Sequence, residues 1–204
     1  MNSFISLDLE TTGFSPDTCD IIEIGAWKVK DGVVIDKFCT LVKPLCYIPR
    51  EIQNLTKITM TDVADCEPIE SVLPSFFEWC ESYPFLGHNL KFDYDFLCVK
   101  GKRLGLDFTL NDKRTGLDTL AMARKFLSLQ DNKLQTVARH FNIELDSSQG
   151  GYHRASYDAY ITKLIYDRFL FDCPVAQGVK LPELLNTDER KYGKVVNNDT
   201  LSFS

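Results

Sequence analysis

The sequence predicts an α/β fold in which a mixed sheet is flanked by helices. Apolar, β-prone runs dominate the amino-terminal part, and later strand-like runs alternate with segments of helical spacing. Asp31-Gly32 separates two of the early runs and supplies the positive φ that a tight hairpin needs. We therefore expect an antiparallel meander of three strands, followed by parallel strands.

The predicted elements follow one another along the chain. SFISLDLE is predicted as the first strand, because its apolar residues lead into a Thr-Thr-Gly break. The hairpin is predicted in IIEIGAWKVKDGVVIDKFCTLVKP, and YPFLGHN is predicted as a short buried strand. Helical segments are predicted in IPREIQNLTKITMTDV, CEPIESVLPSFFEWCES, LKFDYDFLCVKGKRLGL, LDTLAMARKFLSL, NKLQTVARHFNI and the end of GGYHRASYDAYITKLIYDRFLFD.

Two residues predict particular positions within their helices. Pro74 must kink its helix or lie in the first turn, because proline has no amide hydrogen to donate. Asp118 follows Gly116 and is placed as the N-cap of the next helix.

Length and composition indicate one domain and a tail. The chain has 204 residues, 44% of them hydrophobic, which suffices for one substantial core. We assign residues 1–172 to the domain and 173–204 to a polar C-terminal tail. No apolar run is long enough to span a membrane, and the amino terminus has no signal-peptide pattern.

The cysteines favour a reducing compartment. The count of seven is odd and no pair has C-x-x-C spacing, so neither a zinc site nor a disulfide framework is expected. Reduced core thiols in a cytoplasmic protein are the better interpretation.

The net charge of −6 argues against a broad, charge-driven grip on nucleic acid. The charge is uneven, however: residues 91–140 hold ten basic against six acidic residues, whereas residues 58–90 hold six acids and no Lys or Arg. Such segregation is typical of solvated helix faces, or of a basic rim near an acidic site.

Two acids lie on the first predicted strand. Asp8 and Glu10 are two residues apart, so they project from the same face, whereas Leu7 and Leu9 point the other way. Carboxylates this close repel each other unless a positive charge lies between them. A hard divalent cation such as Mg²⁺ or Mn²⁺ is the simplest occupant.

Further candidates occur later in the chain. Asp93 follows a predicted strand at a helix start, His153 precedes a helix, and Asp158 lies inside it. Residues five apart on an ideal helix are separated by about 140°. His153 can therefore meet Asp158 only from a loop off the helical path, which Gly150-Gly151 favours.

Taken singly, these residues have ordinary structural explanations. Asp93 could cap a helix, Asp158 could be a solvated helix residue, and His153 could lie on a surface loop. His140 is interpreted as a helix surface residue and Asp95 as an exposed neighbour of the site.

Taken together, the motifs resemble a known family. D-x-E-T-T-G, H-N-x-x-F-D and H-R-A-x-x-D-A occur here in the order and spacing of the DnaQ-like 3′→5′ exonucleases of the DEDDh type. This family includes the DNA polymerase III epsilon subunit and the exonuclease domain of the Gram-positive replicative polymerase. The resemblance covers residues 3 to 171, and it implies a ribonuclease H-like fold. One departure is Lys57, where many members have glycine.

The resemblance implies a role for each matching position. Two Mg²⁺ or Mn²⁺ ions would be held by the carboxylates Asp8, Glu10, Asp93 and Asp158. His153 would be the general base. The 3′-terminal nucleotide would be lined by backbone groups of Thr11, Thr12 and Gly13. Further candidates for the substrate edge are Phe14, His88, Asn89 and Phe92.

The implied function is metal-dependent hydrolysis of the terminal phosphodiester of single-stranded or frayed DNA, releasing nucleoside 5′-monophosphates. An RNA-directed exonuclease or oligoribonuclease of the same fold stays open. A non-catalytic module that binds a polymerase or nucleic acid would have lost an acid or the histidine, and all five are present. Proofreading would require a polymerase partner in trans, docked through the tail, whereas repair or salvage would not.

Overall fold

The computed structural model describes residues 2–106, 116–143 and 153–173. The strands are β1 (Phe4–Thr11), β2 (Ile21–Lys30), β3 (Val33–Leu41), β4 (Phe85–Gly87) and β5 (Leu117–Asp118). The helices are α1 (Arg50–Thr56), α2 (Ile69–Cys80), α3 (Leu90–Arg103), α4 (Thr119–Phe126), α5 (Leu134–His140) and α6 (Ala155–Asp172).

The five strands form one mixed sheet in the order β3-β2-β1-β4-β5. β1, β2 and β3 are antiparallel, whereas β4 and β5 run parallel to β1. Asp31 and Gly32 have φ values of 51° and 82°, as the β2–β3 hairpin requires. The predicted α/β fold with its three-stranded meander is confirmed. The short strand β5 was not predicted, because two residues carry no alternation pattern.

The sheet is packed on both faces. Leu7 and Leu9 of β1 lie in a cluster with α2 and α3, whereas Phe4 lies in a second cluster with α4, α5 and α6. Since side chains alternate along a strand, Asp8 and Glu10 project towards the α6 face, as Phe4 does. They emerge where β1 approaches its carboxyl end.

Helix α6 lies unusually close to the sheet. A Cβ added at Gly25 of β2 would lie 2.1 Å from the carbonyl carbon of Ala155. The Ser6 hydroxyl donates to the Ala159 carbonyl at 2.6 Å, and the Trp27 indole donates to the Ser156 carbonyl at 2.7 Å. These contacts fix the first turns of α6 over β1 and β2.

The structure shows where the two residues with predicted helix positions, Pro74 and Asp118, lie. Pro74 lies inside α2, beyond its first turn. Asp118 is the N-cap of α4, and its side chain accepts from the amides of Leu120 and Ala121. Gly150-Gly151 and the tail after Cys173 lie outside the described residues. Within the described part, no helix combines the length and apolarity needed to cross a membrane.

Candidate metal centre

Three predicted site residues converge at the carboxyl end of β1. Potential ligand atoms of Glu10, His153 and Asp158 all lie within 4.8 Å of one another. Glu10 comes from β1 and Asp158 from the first turn of α6. Residues far apart in the sequence are therefore brought to one point.

Asp93 is held against the same strand. It is 3% exposed, and its Oδ1 accepts a hydrogen bond of 2.9 Å from the backbone amide of Leu9. Leu9 lies between Asp8 and Glu10, so Asp93 lies beside both acids. Asp8 is half-buried on β1. Neither Asp8 nor Asp93 belongs to the group of three whose ligand atoms lie within 4.8 Å.

Burial, and to a lesser extent nearby acids, raises the pKa of all four carboxyls. Burial raises the pKa of Glu10 to about 8, helped by Asp158, Glu23 and Asp93. Burial also raises the pKa of Asp93 to about 8 and of Asp158 to about 7. The pKa of Asp8 is raised well above its usual range by burial, then by Asp93 and Glu10. Such a set favours a bound cation, which would offset the repulsion.

The hydrogen bonding of Asp158 fits the same interpretation. Its Oδ2 accepts from the His153 amide at 3.1 Å. Its Oδ1 is buried and has no hydrogen-bond partner among the described residues. A buried carboxylate oxygen without a partner is costly, and a hard divalent ion is a suitable ligand for it. The donor set therefore fits Mg²⁺ or Mn²⁺.

His153 lies off the helical path, as its spacing from Asp158 requires. Its φ of 65° is in the left-handed region, immediately before α6 begins. Burial lowers the pKa of His153, and the charge of Lys57 lowers it further. The imidazole is therefore neutral at pH 7 and can accept a proton.

Two residues that the sequence analysis missed adjoin the site. Glu23 faces Glu10 across the β1–β2 pair and is buried. Arg154 forms a salt bridge to Glu23, with Nη2 and Oε1 2.8 Å apart. The signal was available, because Glu23 is an acid inside the apolar run IIEIG, just as Asp8 and Glu10 are in their strand.

The protein backbone from Thr11 to Gly13, which was predicted to contact the substrate, already forms hydrogen bonds within the protein. The Thr11 hydroxyl donates to the Gly13 carbonyl at 2.7 Å, and the Thr12 amide donates to the Asp20 carbonyl at 2.8 Å. A Cβ at Gly13 would lie 2.7 Å from Sγ of Cys19. The Thr12 amide and the Gly13 carbonyl are therefore occupied, and Thr11 pairs with Ile21 of β2.

His88 is bonded within the protein. Its Nδ1 lies 2.9 Å from the Thr119 hydroxyl and its Nε2 lies 2.8 Å from the Asn132 carbonyl. Burial lowers its pKa, so the ring is neutral. This geometry favours a structural role, joining β4 to α4 and the start of α5, over the predicted substrate contact.

The other edge candidates differ in exposure. Phe14 is 67% exposed and so lies outside the core. Phe92 is half-buried, with its ring 5.0 Å from that of Phe96, and it packs on the core. The amide of Asn89 donates to Asp118 at 3.0 Å, while its side chain is exposed. Phe14 and Asn89 are thus the more accessible of these residues.

Comparisons with known proteins agree with this geometry. The family model RNase_T, described as Exonuclease, matches residues 5–166. The chain is 35% identical to DNA polymerase III subunit epsilon of Aquifex aeolicus, covering 87% of this chain and 85% of that protein. It is 36% identical to DNA polymerase III PolC-type of Thermotoga petrophila over 90% of this chain, but it spans only 13% of that relative's length.

Solved structures share the fold. Exonuclease X in complex with 5′ overhanging duplex DNA is 26% identical, with a TM-score of 0.64, over 89% of this chain and 96% of that one. The nuclease domain of 3′hExo, a DEDDh family member bound to rAMP, has a TM-score of 0.71 over 84% of this chain and 93% of that one. At 19% identity, this second likeness concerns the fold alone.

Proposed function

The chain belongs to the RNase T family of exonucleases, DnaQ-like 3′→5′ phosphodiester hydrolases, and from this premise we propose that it shortens single-stranded or frayed DNA. Each turnover would release a nucleoside 5′-monophosphate from the 3′ end. The observation that carries the proposal is the convergence of Glu10, His153 and Asp158 within 4.8 Å beside the buried acids Asp8 and Asp93.

Each residue of the site has a chemical task in this proposal. Asp8, Glu10, Asp93 and Asp158 would hold two divalent ions. When bound, such ions supply an activated water and stabilise charge on the phosphate and leaving oxygens. The neutral imidazole of His153 accepts the proton of the attacking water. Water attacks phosphorus, the bond to the 3′ oxygen of the preceding nucleotide breaks, and that oxygen leaves with a proton.

DNA is the favoured substrate because similar proteins are named DNA polymerase III PolC-type and DNA polymerase III subunit epsilon. RNA is the second candidate, because a chain of the same fold was solved with rAMP bound. Discrimination between the two depends on how the pocket meets the 2′-hydroxyl. Exposed aromatic surface such as Phe14 suits stacking on an unpaired base.

A ladder assay tests the proposal. Purified protein is incubated with 5′-labelled single-stranded DNA or RNA in Mg²⁺, Mn²⁺ or EDTA, with Asp93→Ala as the control for contaminating nuclease. We expect a metal-dependent ladder that shortens from the 3′ end and is absent in the variant. A folded protein that gives no ladder on either substrate would support the non-catalytic binding module instead.

The biological setting is a further proposal. Proofreading in trans would dock residues 173–204 on a polymerase subunit, whereas repair or salvage needs no such partner. All seven cysteines are free thiols, which suits the cytoplasm. Deleting residues 175–204 should leave the ladder on short oligonucleotides intact. Loss of that activity would contradict a tail that only docks.

A further inference from the structure

An ion pair between the buried Glu23 and the half-buried Arg154 lies next to the site, and we propose that these two are positioning residues for His153. This inference rests on the proposed function, in which His153 accepts a proton. Glu23 is not a member of the ligand group formed by Glu10, His153 and Asp158, and the guanidinium of Arg154 has no acceptor atom for a metal. Their action would therefore run through the backbone that carries the imidazole.

The pair is tightly bonded. Glu23 is only 4% exposed and lies on β2, directly across from Glu10. Its carboxylate accepts from Arg154 Nη2 at 2.8 Å and from Nε at 3.1 and 3.2 Å. Its Oε2 also accepts a hydrogen bond of 2.9 Å from the backbone amide of Ala155. One carboxylate therefore holds two consecutive residues that follow His153.

The backbone of His153 is tied on both sides. Its own amide donates to Asp158 Oδ2 at 3.1 Å, and the next two residues are bound to Glu23. The φ of 65° is uncommon for a residue other than glycine, so the surroundings must impose it. Among the described residues, these bonds are restraints that can impose it. The imidazole is then presented from a restrained backbone.

The Glu23–Arg154 ion pair is expected to contribute more to the position of His153 than to the stability of the fold. This ion pair adds little net stability, because the buried Glu23 loses its hydration while solvent screens the 38% exposed side chain of Arg154. The retained benefit here is geometric, since a proton acceptor displaced by about 1 Å can lose on the order of 100-fold in rate. Glu23 also neutralises Arg154, whose positive charge opposes the rise in the pKa of Glu10 that burial and the neighbouring acids cause.

A double-mutant cycle tests this role. Glu23→Gln keeps the shape of the side chain but removes its charge, and His153→Ala removes the proton acceptor. Steady-state kcat and KM on single-stranded DNA are measured for each variant and for the pair. Glu81→Gln is the control, since Glu81 pairs with Lys28, a buried cation on β2, at 2.9 Å and away from the site. Arg154→Lys is the second variant, which keeps the charge but loses the two-pronged bond.

We expect Glu23→Gln to lower kcat by roughly 10- to 100-fold, with KM within about twofold of wild type. It should cause no further loss in the His153→Ala background, and Glu81→Gln should match wild type. Unchanged kcat in Glu23→Gln, or independent losses that multiply in the double variant, would overturn the proposal. If Glu23→Gln does not fold, the same criteria apply to Arg154→Lys. An inactive wild type, or an unimpaired His153→Ala, would instead refute the proposed function.

Discussion

At the residue scale, the site is a set of acids kept close together against their mutual repulsion. Asp8 and Glu10 are held by β1, and Asp93 is pinned to the Leu9 amide between them. Burial raises the pKa of these groups, so each is more easily protonated in the folded chain than in the unfolded chain. The arrangement therefore costs stability unless a cation is bound.

Asp93→Asn should separate stability from activity. The amide can still accept from Leu9, so the fold is retained, while the repulsive charge is gone. We expect the metal-free variant to be more stable at pH 8 by on the order of 2 kcal/mol, because its side chain no longer carries a charge that burial and nearby acids disfavour. Its exonuclease rate should fall by at least about 100-fold.

The control for this variant is Asp95→Asn on the same helix. Asp95 is paired with Lys91 at 2.8 Å and is partly exposed, so both stability and rate should stay near wild type. Urea unfolding curves measure the stability of each variant, and the ladder assay measures its exonuclease rate. A destabilised Asp93→Asn, or one that retains its rate, would contradict the role given to this acid.

The acids and the histidine of the site were named from the sequence, because their residue types and spacing are visible in short segments of the chain. Acids inside an apolar strand are conspicuous, and the off-helix position of His153 follows from its spacing to Asp158. Glu23 was overlooked because its run was interpreted only as an arm of the hairpin. The amide of Thr12 is occupied by Asp20 from the far end of the same β1–β2 loop, a pairing that the loop sequence does not specify.

At the element scale, the close approach of α6 to the sheet determines where Asp158 lies. Glycine at position 25 permits it, since any side chain there would overlap the Ala155 backbone. Strand alternation and helical spacing predicted both elements, but not this distance. A glycine inside a strand can signal a close backbone approach, yet the sequence alone does not say which segment approaches.

Gly25→Ala should displace α6. The added Cβ would lie 2.1 Å from a backbone carbon, so helix and sheet must move apart. We expect a loss of about 2–3 kcal/mol in unfolding free energy from overpacking, and a lower exonuclease rate as Asp158 moves. Calorimetry and the ladder assay measure these.

Gly101→Ala is the matched control. Its Cβ would meet the Phe77 ring at 3.0 Å, and that side chain can shift. The control should lose much less stability than Gly25→Ala. Equal losses in the two variants would argue against a special contact at Gly25.

At the scale of the whole molecule, pH and metal binding are coupled to folding through the four acids. Their pKa values, near 4 when unfolded, rise to about 7 or 8 in the fold for Glu10, Asp93 and Asp158. The folded state thus binds more protons than the unfolded state between these values. The contribution of these groups is fully present below about pH 4 and is lost as the pH rises through about 8.

Metal-free protein should therefore lose stability as the pH rises from 6 to 8. Mg²⁺ should restore it, and by more at pH 8 than at pH 6, since it binds the deprotonated carboxylates. Melting temperatures with and without Mg²⁺ at the two pH values measure this coupling. A Mg²⁺-induced shift that is the same at both would mean that the ion binds elsewhere.

The most direct measurement of the central claim is Mn²⁺ binding at pH 8, followed by electron paramagnetic resonance, for wild type and Asp158→Asn. We predict about two Mn²⁺ bound per wild-type chain, and fewer or much weaker ions in a variant that is equally well folded. Identical binding curves for the two proteins would contradict the assignment of the acids at the end of β1 as a metal centre.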